Sequence, residues 1–380
     1  MGIKNKKRGG FMFLKQIKLS NFRNYEHLQI NFSPNINIIY GDNAQGKTNL
    51  LESIYFLSVT KSHHSFLDNR LIKDGETELK VEGMINNLIT DTKYSINLNE
   101  SKKELKIDDK IIKKVSEYIS NINIIIFYPD DLNLIKGSPN DRRRYINVQL
   151  SQLSSKYFEV LGEYNKLLKI RNEYLKKFVD RIDFDEKYFE IITEHLVDKA
   201  IYIYKMRNKY VEKINNYCKE ISLKIYGNES FCIKYINNFN QYNLNDSNIK
   251  NIILSEFRKN SFKEKKYKNT ILGPHRDDFE FIYENKNLKF YGSQGQQRIG
   301  ILVLKLSEIE IFNDYKNTKP ILLLDDVFSE LDNIKKNNLL FYIDNDIQTL
   351  ITTTELTNLD EKLIEKANLI KIKDGKKEEV

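Results

Sequence analysis

From Phe13 onward, apolar and polar positions alternate in short runs. Phe13–Leu19, Leu28–Phe32 and Asn35–Tyr40 are rich in β-branched and aromatic residues and end in turn residues, so each is expected to be a strand. Asn49–Leu57 switches to helical spacing, and Glu78–Ile85, Lys93–Leu98 and Ile122–Phe127 return to strand-like patterns. After Pro139 the period lengthens. Leu153, Tyr157, Val160, Tyr164, Leu167, Arg171, Tyr174 and Phe178 follow alternating steps of four and three, a coiled-coil-like seam that only Arg171 interrupts. A second helical pattern runs from about Lys187 to Tyr226 and stops at Gly227, a residue suited to a helix C-cap. Two long helices this close in sequence predict an antiparallel hairpin, either an ordinary helical subdomain or a projecting arm. Strand-like segments resume near Thr270 and alternate with helices to the end, and no internal repeat is present. Residues 1–11 have no periodicity and read as a flexible basic extension.

Composition narrows the class only a little. With 380 residues, 40% hydrophobic and 30% charged, the chain has the balance of a soluble globular protein. No apolar run reaches the roughly 18–20 residues of a membrane span, and no signal-peptide segment follows the basic N-terminus. The two cysteines, Cys218 and Cys232, form no disulfide framework, and no metal-ligand spacing of Cys or His is present. A reduced, cytoplasmic setting is expected. The net charge of +8 overstates any pull on polyanions, because four cations lie in the first eleven residues and the remainder carries +4.

The chemistry is concentrated in two places. Gly41, Asp42, Asn43, Ala44, Gln45, Gly46, Lys47 and Thr48 make a complete G-x-x-x-x-G-K-[ST] between an apolar strand and a helix. Glycines let the backbone wrap phosphate, Lys47 reaches the β- and γ-phosphates, and the Thr48 hydroxyl suits Mg²⁺. Far downstream, Ile321–Leu324 leads into Asp325 and Asp326. Asp325 suits the Mg²⁺ role, and Asp326 stands where a carboxylate can orient or deprotonate attacking water.

The order of the smaller motifs then selects among phosphate-loop proteins. Asp325 lies 278 residues after Lys47, more than a compact GTPase-like fold needs. Ser293, Gly295 and Gln296 open a helix before the acidic strand, and Ser329 and Asp332 follow it. The first group resembles the signature of ABC ATPases and the second their D-loop. In that class the signature, through its helix N-terminus and the Ser293 hydroxyl, completes the nucleotide site of the opposite protomer. Within the class, the chain from about Met12 onward resembles the RecF family, the bacterial recombination and replication-repair ATPases. The resemblance rests on Asn21–Tyr25, the phosphate loop through Glu52, Pro129–Leu132 with Lys136 and Gly137, Arg142–Arg144, Gly273–Asp278, Gly292–Arg298 and Leu324–Asp326.

This resemblance implies an α/β fold: an SMC-like ABC ATPase head of residues 12–136 and 268–380, with a helical lobe or arm of 137–267 inserted. It also implies ATP and Mg²⁺ as cofactors, weak ATP hydrolysis, an ATP-dependent homodimer, and binding to gapped, single-stranded or junction DNA. Cooperation with RecR in loading recombinase and support of the SOS response belong to the same expectation. Family likeness further suggests nucleotide contact by Arg23 and Asn24, with a structural surface role as the alternative. Departures from transporter ATPases are Asp326 in place of the usual Glu and Thr352–Thr354 where a switch histidine is placed; the Q-loop is expected near Pro129–Leu132.

DNA contacts stay open between two readings. Arg142, Arg143 and Arg144 either touch DNA phosphate or pair with acids at the base of the lobe. The cluster Arg258, Lys259, Lys263, Lys265, Lys266 and Lys268 is either a DNA surface or a solvated face. Two other functions share the motifs. The ATPase subunit of a membrane transporter has no need of so large an insertion, and a chromosome-structural SMC-like protein separates its motifs by far longer coiled coils.

Overall fold

The computed structural model describes residues 12–378 except 63–67, 88–89, 180, 183, 228–230, 331–335, 337–338 and 340–346. The expected N-terminal extension, 1–11, lies outside the described residues. By internal contacts the chain separates into two compact units. One takes the chain up to Asp131, Ile221–Gly227 and Ile301–Val380; the other takes Leu132–Glu220 and Asn228–Gly300.

The first unit holds two sheets. Its six-stranded sheet runs in the order Lys376–Glu378, Asn368–Lys373, Ile36–Tyr40, Thr349–Thr353, Ile321–Asp325, Ile124–Phe127, parallel throughout except for the first pair. Ile321–Asp325 and Thr349–Thr353 are buried at every position, which explains why they read as apolar runs without alternation. Register places Tyr40 beside Thr353 and Asp325 beside Thr352. The carboxyl ends of three neighbouring strands thereby bring the phosphate loop, the two acids and the threonines to one edge, the ordinary ligand edge of a parallel sheet.

The second sheet is antiparallel, in the order Tyr25–Asn31, Phe13–Phe22, Glu78–Asn86, Asp91–Asn99, Lys103–Ile107, Lys110–Ile112. Helix Lys47–Val59 packs against strands of both sheets and is buried along most of its length. Gln348, fully buried, joins the sheets: its amide donates to the carbonyls of Leu14 and Ser33 and accepts from Leu14 N–H. Lys305 and Asp131 form a buried pair at 3.0 Å, and the ammonium also donates to the Ile126 carbonyl. The Pro129–Leu132 motif, the expected Q-loop position, is thus a short helical turn whose Asp131 pairs with Lys305 of the helix Gln294–Lys316.

In the second unit, helices Pro139–Leu153, Ser155–Phe178 and Ile249–Tyr267, with helix Glu186–Tyr226 as far as Glu220, accompany a three-stranded sheet of Lys286–Asn287, Asp278–Tyr283 and Phe231–Ile236. That sheet carries the unit past residue 267, where the lobe was expected to end, to Gly300. Ser138 starts the first helix with a capping box to Asp141 and Pro139 at its first position. Arg171, the interruption in the apolar seam, is fully buried. Its guanidinium donates to Glu264 at 2.6 Å, Thr270 at 2.7 Å and Thr193 at 2.9 Å, and lies 4.4 Å from the Phe189 ring centre. Complete pairing is what lets a charge replace an apolar residue there.

The Gly273–Asp278 motif forms another polar knot in this unit. Asp277 accepts from Arg207 and Tyr235, Asp278 accepts two bonds from Arg142, and Tyr164 Oη lies 2.6 Å from His275 Nδ1. Burial lowers the His275 pKa from 6.5 to about 4. A histidine held neutral contributes stability above its unfolded pKa, and that contribution is lost as pH falls from 6.5 toward 4. Moving from pH 7 to 5 is expected to cost about 2 kcal/mol through this group. Burial raises the Asp277 pKa from 3.8 to about 6, which offsets part of that loss as pH falls. Urea unfolding at the two pH values should therefore show His275→Gln losing about 2 kcal/mol less than wild type.

Candidate functional site

The phosphate loop is built from three directions. Gly46 caps helix Lys47–Val59 with φ 109°, a left-handed conformation that glycine adopts without steric cost. Its carbonyl accepts from the Tyr25 hydroxyl at 2.8 Å, and burial raises the Tyr25 pKa, which keeps that donor protonated. Asn24 donates to the Gln45 carbonyl at 3.2 Å and accepts from Asn49 at 2.8 Å. From the far side, the Gln45 side chain accepts from Asp374 N–H. At Gly41 a Cβ would lie 2.2 Å from the Ile372 carbonyl oxygen, so no side chain fits.

Lys47 Nζ donates to the carbonyls of Gly41 and Asp42 at 2.6 and 2.7 Å. Burial lowers its pKa, while the carboxylates of Asp326, Asp325 and Asp42 oppose that shift. Thr48 Oγ1 donates to Asp325 Oδ1 at 3.0 Å, so the hydroxyl and the carboxylate suited to a magnesium ion converge on one point. Asp326 holds φ 50°, left-handed for a non-glycine residue, and its N–H donates to Thr352 Oγ1 at 2.9 Å.

Thr352, noted in the sequence only as part of the segment where transporters place a switch histidine, takes a role that motif reading did not assign. Its hydroxyl donates to Asp325 Oδ1 at 2.7 Å while accepting from Asp326 N–H, so one buried side chain fixes the Asp325 carboxylate and the Asp326 backbone together. The signal was available as a threonine at the end of a parallel strand beside the acidic strand, but only register assigns the partner. Thr352→Val keeps the shape and removes both bonds. ATP turnover is expected to fall about 10- to 100-fold, the usual effect of losing a group that orients a metal ligand. Thr352→Ser should restore most of it, and equal turnover in the valine variant would remove Thr352 from the site.

The other expected residues separate into four groups. Arg23 gives its guanidinium to Glu52 at 2.9 and 3.0 Å and to the Arg70 carbonyl, and Asn24 supports the loop from outside. Both brace the site's scaffold. Asp42, Asn43, Ala44 and Gln45 lie in the loop itself, with Ala44 at φ 63°. Ser293 is exposed and immediately precedes helix Gln294–Lys316. Its Oγ accepts from Gln296 N–H at 3.3 Å, and Gln296 Oε1 accepts from Ser293 N–H at 2.9 Å. A Cβ at Gly295 would meet only Ser293 Oγ, at 3.9 Å, so the first turn of this helix is sterically open. Ser329 sits on the turn Val327–Glu330; its side chain and Asp332 lie outside the described residues.

Of the arginine run, Arg142 follows the second of the two readings left open, a buried pair with an acid. Its guanidinium holds Asp278 at 2.7 and 3.0 Å and the Gly137 carbonyl at 2.9 Å. Arg143 donates to the Asp277 carbonyl at 2.7 Å. Arg144 is half-buried. Lys265 pairs with Glu186, whereas Lys263 and Lys266 are exposed.

Comparison with known proteins covers nearly the whole chain. The family model for the RecF/RecN/SMC N-terminal domain matches residues 13–378. The DNA replication and repair protein RecF of Clostridium botulinum is 38% identical over 366 residues, 96% of this chain and 99% of that protein. That of Ligilactobacillus salivarius is 36% identical over 367 residues, 96% of this chain and 97% of that protein. The solved structure of the recombination mediator protein RecF-ATP in the RecFOR pathway superimposes with a TM-score of 0.90 at 32% identity, covering all of both chains. The Smc head domain from Pyrococcus furiosus, at 17% identity and a TM-score of 0.54, shares the fold.

Proposed function

The chain belongs to the RecF family of DNA replication and repair proteins, and from that membership we propose an ATPase that uses ATP to join two heads on DNA. The observation that carries this reading is the convergence of Thr48 and Asp325 beside Lys47 at the mouth of the phosphate loop. The residues fit Mg·ATP. Backbone N–H groups of the loop and the helix start suit its phosphates, Lys47 faces the β- and γ-phosphates, and Thr48 with Asp325 suits the ion. Bound Mg²⁺ supplies neutralisation of phosphate charge.

The chain's own residues supply the rest. Thr352 holds Asp325 in the orientation that a metal ligand needs, and it fixes the backbone from which Asp326 projects. Asp326 is the group that orients and deprotonates water, with a carboxylate one methylene shorter than the usual glutamate, consistent with slow hydrolysis. Ser293, Gly295 and Gln296 present an exposed helix N-terminus to the γ-phosphate held by a second copy, so the dimer forms only when nucleotide is present. DNA with a gap or a single-strand/duplex junction is the substrate class, and RecR is the protein partner that the family relationship suggests. Gap recognition, recombinase loading and support of the SOS response follow from the same relationship.

The nucleotide assignment has a direct test. Lys47→Ala removes one charge-assisted contact to phosphate, worth about 1.5–3 kcal/mol, and should weaken ATP binding roughly 10- to 150-fold. Calorimetric titration with the folded variant measures it, and unchanged affinity would discard the loop as the nucleotide site.

A further inference from the structure

Helix Ile249–Tyr267 turns Ile253, Phe257 and Glu264 inward, all buried. At about 100° per residue, the opposite side carries Arg258, Lys259, Phe262 and Lys266, Lys263 lies at its flank, and Tyr267, about 140° round from Phe262, closes the last turn near the buried side. Phe262 is 79% exposed and Tyr267 66% exposed, so folding leaves two large rings in water on the most basic stretch of the described chain. Single exposed apolar residues are common, but aromatic rings interleaved with cations have a specific chemistry.

The charges are not evenly balanced. Arg258 faces Glu190, Lys259 faces Glu256 and Lys265 faces Glu186. Lys263 and Lys266, which lie between the two rings in projection, have no acid within ion-pair distance among the described residues. The pairs to Glu186 and Glu190 also fix the location, alongside the first turns of helix Glu186–Tyr226 and hence at the turn end of the hairpin that Ser155–Phe178 begins.

We propose that Phe262 and Tyr267, with Lys263 and Lys266 between them, form a binding site for single-stranded nucleic acid at the tip of the helical hairpin. Each ring offers a face to an unpaired base, and the two unmatched ammonium groups neutralise the adjoining phosphates. Duplex bases are stacked on one another and cannot use the rings, so this surface discriminates a strand with unpaired bases from an intact duplex. The proposal deepens the DNA reading above and rests on it for the duplex half of the substrate.

The chain contains no tryptophan, which makes Phe262→Trp a single fluorescent reporter at the site. Titrating that variant of the full chain with oligothymidylate should quench its emission saturably. Adding Lys263→Glu and Lys266→Glu should weaken this binding at least tenfold and flatten its salt dependence. Separately, Phe262→Ala with Tyr267→Ala should weaken binding of a duplex with a single-stranded overhang at least tenfold, while the ATP-dependent affinity for a blunt duplex stays at the wild-type value. No quenching by the oligonucleotide, or equal losses on overhang and blunt duplex, overturns the proposal. A blue-shifted emission with anionic phosphatidylserine vesicles and no response to the oligonucleotide would assign the face to a membrane and overturn it as well. If wild-type protein with ATP binds neither gapped nor blunt duplex, the broader DNA reading fails, and the oligonucleotide titration still judges the rings alone.

Discussion

Replacing Asp326 with asparagine is expected to leave Mg·ATP binding in place and slow hydrolysis about 10²- to 10⁴-fold, the range attributed to a lost general base. Binding survives because Lys47, Thr48 and Asp325 are untouched and because the backbone bond from residue 326 to Thr352 does not involve the carboxylate. Asparagine also tolerates the left-handed φ of 50° at this position, so the change isolates chemistry from backbone strain. With hydrolysis stalled, the variant should accumulate as an ATP-joined dimer. Single-turnover phosphate release and chromatography on the same sample read both effects. Normal turnover would show that a different group positions the water.

Ser293→Arg should have an equally large effect on assembly. The serine is exposed at the start of helix Gln294–Lys316, and among the described residues its hydroxyl makes only the local cap to Gln296 N–H, so the substitution costs the fold about 1 kcal/mol. An arginine there occupies the space assigned to the second copy's γ-phosphate. ATP binding by one head should stay within about twofold of wild type, since no residue of the phosphate loop changes. ATP-dependent dimerisation, and the share of DNA affinity that depends on it, should disappear. Because two joined heads double the phosphate contacts available to one duplex, the steep salt dependence of DNA binding should fall away with the dimer. A Ser293→Arg protein that still dimerises with ATP would contradict a composite nucleotide site.

Much of the head was legible from local pattern. The phosphate loop needs a strand, two glycines and a helix start in sequence, and all are contiguous, so Ile36–Tyr40, Gly46 and Lys47–Val59 fall where spacing put them. The acidic strand was readable because burial on both faces removes alternation. What the pattern hid depends on contacts between distant residues. Thr352 acquires its role only through parallel register with Asp325, and Arg171 reads as a flaw in a seam until Glu264, 93 positions away, supplies its partner. For Arg142 the sequence leaves a phosphate contact and an acid pair equally open, and only helix geometry decides, by turning it inward to Asp278. The small sheet Phe231–Ile236 with Asp278–Tyr283 was obscured because its strands lie more than forty residues apart around a helix.

The central claim is that ATP joins two copies of this chain, and the molar mass in solution tests it most directly. Multi-angle light scattering on wild-type protein, with Mg·ATP and a gapped duplex and then with neither, is the measurement. The account predicts a 45.1 kDa monomer without nucleotide and a species containing two chains on the gapped duplex with it. A single chain per duplex, under conditions where separate titration shows ATP to be bound, would contradict the account.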